Sequence, residues 1–192
     1  MKNTLSIFFI CVSITLFSQK EQISGPDNKL QLSVELVNAK PVYSVSYENI
    51  LVIENAPLGF TTNEGDFSKD LVFVEAVKDA LTKTYVQDKI KQSHVTYKAN
   101  TLRYTVKDSK DRQFSVLFQV SDNDIAFRYE ISKWGDTRVI VVERERTGFN
   151  FPEETTSFLS NVMRPMTGFA RTAPSYESAY RADQPLIEQK AL

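Results

Sequence analysis

The chain has 192 residues, of which 42% are hydrophobic and 24% charged, with a formal net charge of -1. That length supports one sizeable domain with an ordinary core that needs no metal or disulfide staples. A near-neutral balance, with no block of like charges, excludes an electrostatic case for nucleic acid or an anionic membrane surface.

The N-terminal stretch MKNTLSIFFICVSITLFSQKEQ places one Lys ahead of an apolar run from Leu5 to Phe17. The run is too short to span a bilayer comfortably and has the form of a signal-peptide core. We expect residues 1–18 to be a signal peptide, cleaved near Ser18. Ile10 before Cys11 disfavours lipidation. Cys11 is the only cysteine, so the mature chain is expected to have no disulfide, Cys metal site or thiol nucleophile. Export to a periplasm or cell surface is the expectation that follows.

Gly25-Pro26-Asp27-Asn28 is a turn cluster. Leu30, Leu32, Val34 and Leu36 then alternate with Lys29, Gln31, Ser33 and Glu35, the period-two pattern of a half-buried strand. After a break at Asn38 to Pro41, a second strand puts Tyr43, Val45 and Tyr47 on one face and Ser44 and Ser46 on the other. Glu48-Asn49 reads as a tight turn. Leu51 to Ile53 reads as a third short strand, ended by Asn55 and Pro57. The stretch TTNEGDFSKDL reads as a polar loop.

Residues 71–87 are ambiguous. Val, Phe and Tyr favour strand, whereas Glu75, Ala76, Lys78, Ala80 and Leu81 suit a helix. The strand-rich surroundings decide for strand. HVTYKANTLRYTVKD alternates again. Phe114, Val116, Phe118 and Val120 lead through a turn over Ser121 to Asp124 into Ile125, Phe127, Tyr129 and Ile131, which predicts a hairpin. Trp134-Gly135-Asp136 is a further turn, and TRVIVVERER a further strand. From Met163 onward, prolines and small residues predict an irregular extended segment. Short strands, frequent turns and almost no helical pattern predict an antiparallel β-sandwich, with a domain over 22–162 and an extension over 163–192.

Little in these residues carries chemistry. His94 is the only histidine, which excludes a His-rich metal site and paired-histidine acid–base work. No nucleophile elbow or Gly-rich phosphate loop occurs. Glu153 and Glu154 are neighbours and diverge on an extended chain, whereas glycoside hydrolysis needs two converging carboxylates. Asp122 and Asp124 read as turn formers, and Arg128 with Glu130 as a same-strand ion pair. No catalytic residue is assigned. Glu177, in TAPSYESAY, sits in an irregular Pro-bounded segment from which a carboxylate can reach another surface, and carboxylates suit Ca2+.

SGPDNKLQLSVEL, KPVYSVSYENILVIENAPLGF, VLFQVSDNDIAFRYEI and SYESAY occur in that order. Together they resemble the N-terminal domain of glycoside hydrolase family 97, from about Ile23 to the C-terminus. The resemblance implies an exported α-glucosidase or α-galactosidase family of Gram-negative bacteria. Its N-terminal β-super-sandwich is similar to galactose mutarotase domains, and a catalytic (β/α)8 barrel follows. It further implies a Ca2+ ion near the substrate held by glutamates, one of them at the position of Glu177, and an α-linked oligosaccharide as partner. The barrel would begin about where this chain ends, so this polypeptide alone is expected to be inactive. The alternative is a stand-alone carbohydrate-binding module of the cell envelope, with Tyr43, Tyr47, Tyr97, Tyr104, Tyr129 or Trp134 stacking on sugars.

Overall fold

The computed structural model describes residues 20–89, 94–136, 139–159 and 180–186. The expected signal peptide lies outside them. Thirteen strands are present among the described residues. β1 (Glu21–Ser24), β2 (Leu30–Val37), β3 (Lys40–Tyr47) and β4 (Ile50–Pro57) form one antiparallel sheet in chain order. β7 (Val72–Val86), β8 (His94–Lys107), β9 (Gln113–Val120) and β10 (Ile125–Ile131) form a second, also antiparallel.

Alternation along each strand turns one face of each sheet inward. Leu32 and Val34 from the first sheet meet Leu102, Tyr104, Val106, Phe118 and Val120 from the second, all fully buried. Tyr43 bridges the layers, its ring 6.3 Å from Phe118 and 6.1 Å from Phe127. Each such side chain contributes about 1.5–3 kcal/mol by leaving water. The protein is an antiparallel β-sandwich, as the period-two patterning predicts.

Local sequence sets the hairpins. Asn38 and Ala39, at φ of 51° and 60°, join Val37 to Lys40, and Glu48 and Asn49, at 48° and 68°, join Tyr47 to Ile50. Both are two-residue turns with consecutive left-handed residues, whose twist matches that of the paired strands.

Three elements differ from the sequence reading. β4 does not stop at Asn55; that residue takes a φ of 43° amid register shifts against β3, and the strand continues to Pro57. A bulge absorbs the extra residue, and a proline is tolerated because β4 is an edge. The expected polar loop contains a tight pair, β5 (Phe60–Thr62) with β6 (Gly65–Asp66). β5 also pairs with β11 (Val142–Glu145), which is much shorter than TRVIVVERER led us to expect.

β7 is strand throughout, because pairing with β8 from Val72 to Val86 overrides its helix formers. β9 pairs with β8 only from Asn100 onward. Residues 81–86 and 94–99 therefore extend beyond β9 as a two-stranded arm. In the C-terminal segment, β13 (Arg181–Pro185) pairs with β12 (Thr156–Leu159).

Candidate functional site

The β9–β10 turn is a clamp. The Ser121 hydroxyl accepts from the amides of Asn123 and Asp124, at 3.2 and 3.0 Å. Ser121, itself buried, is thus the residue that closes the turn. Asp122 does something else: its Oδ1 accepts from the Asp27 amide at 2.8 Å, across 95 residues of chain. Asn100 Nδ2 donates to the Ser24 carbonyl at 2.8 Å beside it. These contacts tie the β1–β2 turn to the second sheet. Asp124 Oδ1 accepts from the Tyr97 hydroxyl at 3.4 Å.

On the outer face of β10, Arg128 donates to Glu130 Oε1 through Nε and Nη2, at 3.0 and 2.7 Å. Arg103 on β8 pairs with Glu130 Oε2. The same-strand ion pair read from the sequence is present, shared with a cross-strand cation. An exposed cluster of this kind adds on the order of 0.2–1 kcal/mol per pair. It does not assemble a site with Asp122 and Asp124.

The aromatic side chains mostly fill the interior. Tyr43, Tyr104 and Trp134 are buried. Burial, with a smaller contribution from the nearby Tyr129 phenol, pushes the Tyr43 hydroxyl up to about 12. Trp134 stacks on Phe67 at 4.5 Å and donates its indole N–H to the Gln113 carbonyl at 2.8 Å. The Arg112 guanidinium lies 4.8 Å above the Phe67 ring and 5.5 Å from Trp134. It reaches Asp108 Oδ2 through Nε and Nη2, at 2.9 and 2.6 Å, and donates to the Glu64 carbonyl at 2.7 Å. Burial alone would raise the Asp108 carboxyl; the Arg112 contacts outweigh it and hold the group below its ordinary value.

Tyr129 sits where the second sheet meets the small sheet formed by β11, β5 and β6. Its hydroxyl accepts the Gly59 amide at 2.8 Å and meets Thr147 Oγ1 at 2.6 Å. Thr147 donates onward to Glu145 at 2.8 Å. Since Thr147 spends its proton on the carboxylate, Tyr129 donates to Thr147. Burial raises the Tyr129 pKa against the lowering effect of these bonds. Of the six aromatics read as sugar platforms, Tyr47 keeps the most exposed ring.

His94 lies on the exposed arm of β8, and Glu153 and Glu154 are exposed at a turn. Among the described residues no three His, Cys, Asp or Glu side chains gather to hold a metal ion. Glu177 lies outside the described residues. The described part of the chain therefore does not furnish a Ca2+ shell.

One concavity was not singled out from the sequence. The solvent face of the first sheet holds a trough of about 340 Å3 lined by Gln22, Gln31, Ser33, Ser44, Ser46 and Asn55, among others. The alternation had placed these serines outward, yet which side chains flank them depends on the register of β1 to β4.

Together, the two facing sheets and the aromatic-rich core between them define an antiparallel β-sandwich domain. Residues 23–191 match the family described as Glycosyl-hydrolase 97 N-terminal, and the chain belongs to that family. It is 45% identical to a protein solved as a β-arabinopyranosidase, over 87% of this chain and 27% of that one, with a TM-score of 0.76. It shares its fold with a glycoside hydrolase family 97 enzyme from Pseudoalteromonas sp. strain K8, solved as an E480Q variant with panose and also with acarbose. There the TM-score is 0.66 and the identity 23%, over 72% of this chain and 21% of that one. A probable retaining α-galactosidase of Streptomyces bingchenggensis (strain BCW-1) is 27% identical over 80% of this chain and 24% of its own length. The chain thus spans about a quarter of the length of these relatives.

Proposed function

We propose that this chain serves as the non-catalytic N-terminal domain of an exported, Ca2+-dependent glycosidase, packing on a catalytic barrel and shaping its substrate pocket. The preferred substrates are galacto-configured glycosides. The observation that carries this reading is the 45% identity to a β-arabinopyranosidase over 87% of the chain. A β-arabinopyranoside of the L series has the ring configuration of an α-D-galactopyranoside and lacks only the C6 hydroxymethyl group. The α-galactosidase relative therefore points to the same stereochemical class. A gluco-configured substrate is the second choice, supported by the more distant neighbour solved with panose.

In this reading Glu177 supplies one carboxylate to a Ca2+ ion whose other ligands lie on the barrel. One glutamate cannot satisfy the roughly six to eight oxygens that Ca2+ prefers, so the chain alone binds the ion weakly or not at all. The leader over residues 1–18 directs export to the periplasm or cell surface.

The test is a domain exchange. The N-terminal quarter of the β-arabinopyranosidase is replaced by this chain, and hydrolysis of aryl β-L-arabinopyranoside, α-galactoside and α-glucoside is measured. The expected result is an active chimera that prefers the first two and loses Ca2+-dependent activity on Glu177→Gln. A folded but inactive chimera, or an active one indifferent to Glu177→Gln and to chelation, overturns the proposal. Hydrolysis by the chain on its own would overturn its non-catalytic assignment.

A further inference from the structure

We propose that the solvent-facing trough of the first sheet is a carbohydrate site for a neutral oligosaccharide. Its floor is made by Ser33, Ser44 and Ser46 on the two central strands, with Gln31 beside them. Ser33 on β2 is register-paired with Ser44 on β3, and Gln31 with Ser46. Longer side chains stand on either side: Gln22 on β1, and Leu51, Glu54 and Asn55 on β4. Small residues between long ones leave a depression of about 340 Å3, within the range of small-ligand sites.

The polar groups are already positioned. Gln22 Nε2 donates to Gln31 Oε1 at 2.9 Å, which aligns the two amides along one wall. On the other wall, the Asn55 amide donates to Ser44 Oγ at 2.9 Å. This contact exists because Asn55 occupies the left-handed bulge of β4. Ser33 and Ser46 line the trough, and among the described residues neither hydroxyl has a hydrogen-bond partner. Each hydroxyl offers one donor and two acceptor positions, the pairing that sugar hydroxyls need.

Charge selects among ligands. Lys20 at the rim is neutralised by Glu35 at 3.2 Å, which leaves Glu54 as the remaining charged lining residue. An anion would have to compete with Glu35 for Lys20 and would be opposed by Glu54. Leu51, 42% exposed at the edge, offers aliphatic surface to the C–H face of a pyranose. A neutral polyhydroxylated ligand matches this combination of hydroxyls, amides and one apolar rim. The assignment does not depend on Glu177 or on Ca2+.

The experiment follows amide chemical shifts of the isotope-labelled full chain during titration with α-linked galacto- and gluco-oligosaccharides and with an oligogalacturonate of equal length. Saturable, millimolar-range shifts centred on Gln31, Ser33, Ser44 and Ser46 are expected for a neutral sugar, with the acidic oligomer weaker. Ser46→Arg, a solvent-face change that fills the trough, should weaken binding by about tenfold or more while melting temperature and the remaining spectrum stay the same. No saturable shift with any neutral sugar, shifts centred elsewhere, stronger binding of the acidic oligomer, or unchanged binding by Ser46→Arg overturns the proposal. None of these outcomes bears on the domain-exchange result.

Discussion

Gly25 lies directly against the backbone of Ser121: a Cβ on Gly25 would stand 2.3 Å from the Ser121 carbonyl oxygen and 2.9 Å from its carbon. The two residues belong to turns on different sheets, and this is where the sandwich closes at one end. The glycine is required for space, since its φ is not in the left-handed region.

Gly25→Ala should therefore be costly for a surface turn. The obstructing atoms are backbone, so a rotamer change cannot relieve the clash, and overpacking of this kind costs about 1–3 kcal/mol. Urea unfolding should show a lower midpoint with an unchanged slope. Asp122→Ala, which removes the acceptor for the Asp27 amide but adds no clash, should cost less, about 0.5–1.5 kcal/mol. Equal losses from the two changes would argue against the steric account.

Tyr129→Phe deletes one oxygen and leaves the Gly59 amide without its acceptor. An unsatisfied buried donor costs about 1–3 kcal/mol. Gly59 stands at φ 130° with a would-be Cβ only 2.7 Å from the Phe67 carbonyl oxygen, so it has little freedom to find another partner. We expect faster hydrogen exchange at the Gly59 amide, a readout that a purely packing-based loss would not concentrate there.

Arg112→Lys keeps the charge but loses the planar fork on Asp108 and the stacking on Phe67 and Trp134. The expected cost near neutral pH is about 2 kcal/mol. The Asp108 carboxyl is held below its ordinary value of 3.8 in the folded protein. Its contribution is thus fully present above about pH 4 and is lost as pH falls through the lower folded value. The stability gap between the two proteins should therefore shrink on acidification. Denaturation curves collected from neutral pH down to about pH 3 check this; a gap that widened would reverse the sign of the argument.

Phe118→Ala should be the most damaging of these changes. The ring is fully buried between the two main sheets and touches Tyr43 and Phe127. Its removal leaves a cavity with a typical cost of about 3–5 kcal/mol. Loss of cooperative unfolding or of soluble expression is the expected readout.

Much of this fold is legible in local sequence. The alternations at Leu30 to Leu36, Phe114 to Val120 and Ile125 to Ile131 name their inward faces correctly, because strand geometry ties side-chain direction to residue parity. Glu48-Asn49 and the Ser121–Asp124 turn are likewise local. The bulge at Asn55 was missed because Asn-Ala-Pro reads as a stop when the partner strand is not known. β5 and β6 were missed because strands of three and two residues carry no periodic signal. Glu177 was proposed from its Pro-bounded segment and from the order of motifs along the chain, and it lies outside the described residues.

By itself the sequence determined strand parity, most turn positions and membership of a family, all properties of residues within a few positions of one another or of motif order. Tertiary structure alone decided that Asp122 caps a turn 95 residues away, that Arg112 rests on Phe67 and Trp134, and that three serines line one trough. Those outcomes depend on register between strands and on which sheets face each other, and such long-range pairings leave no period in the chain.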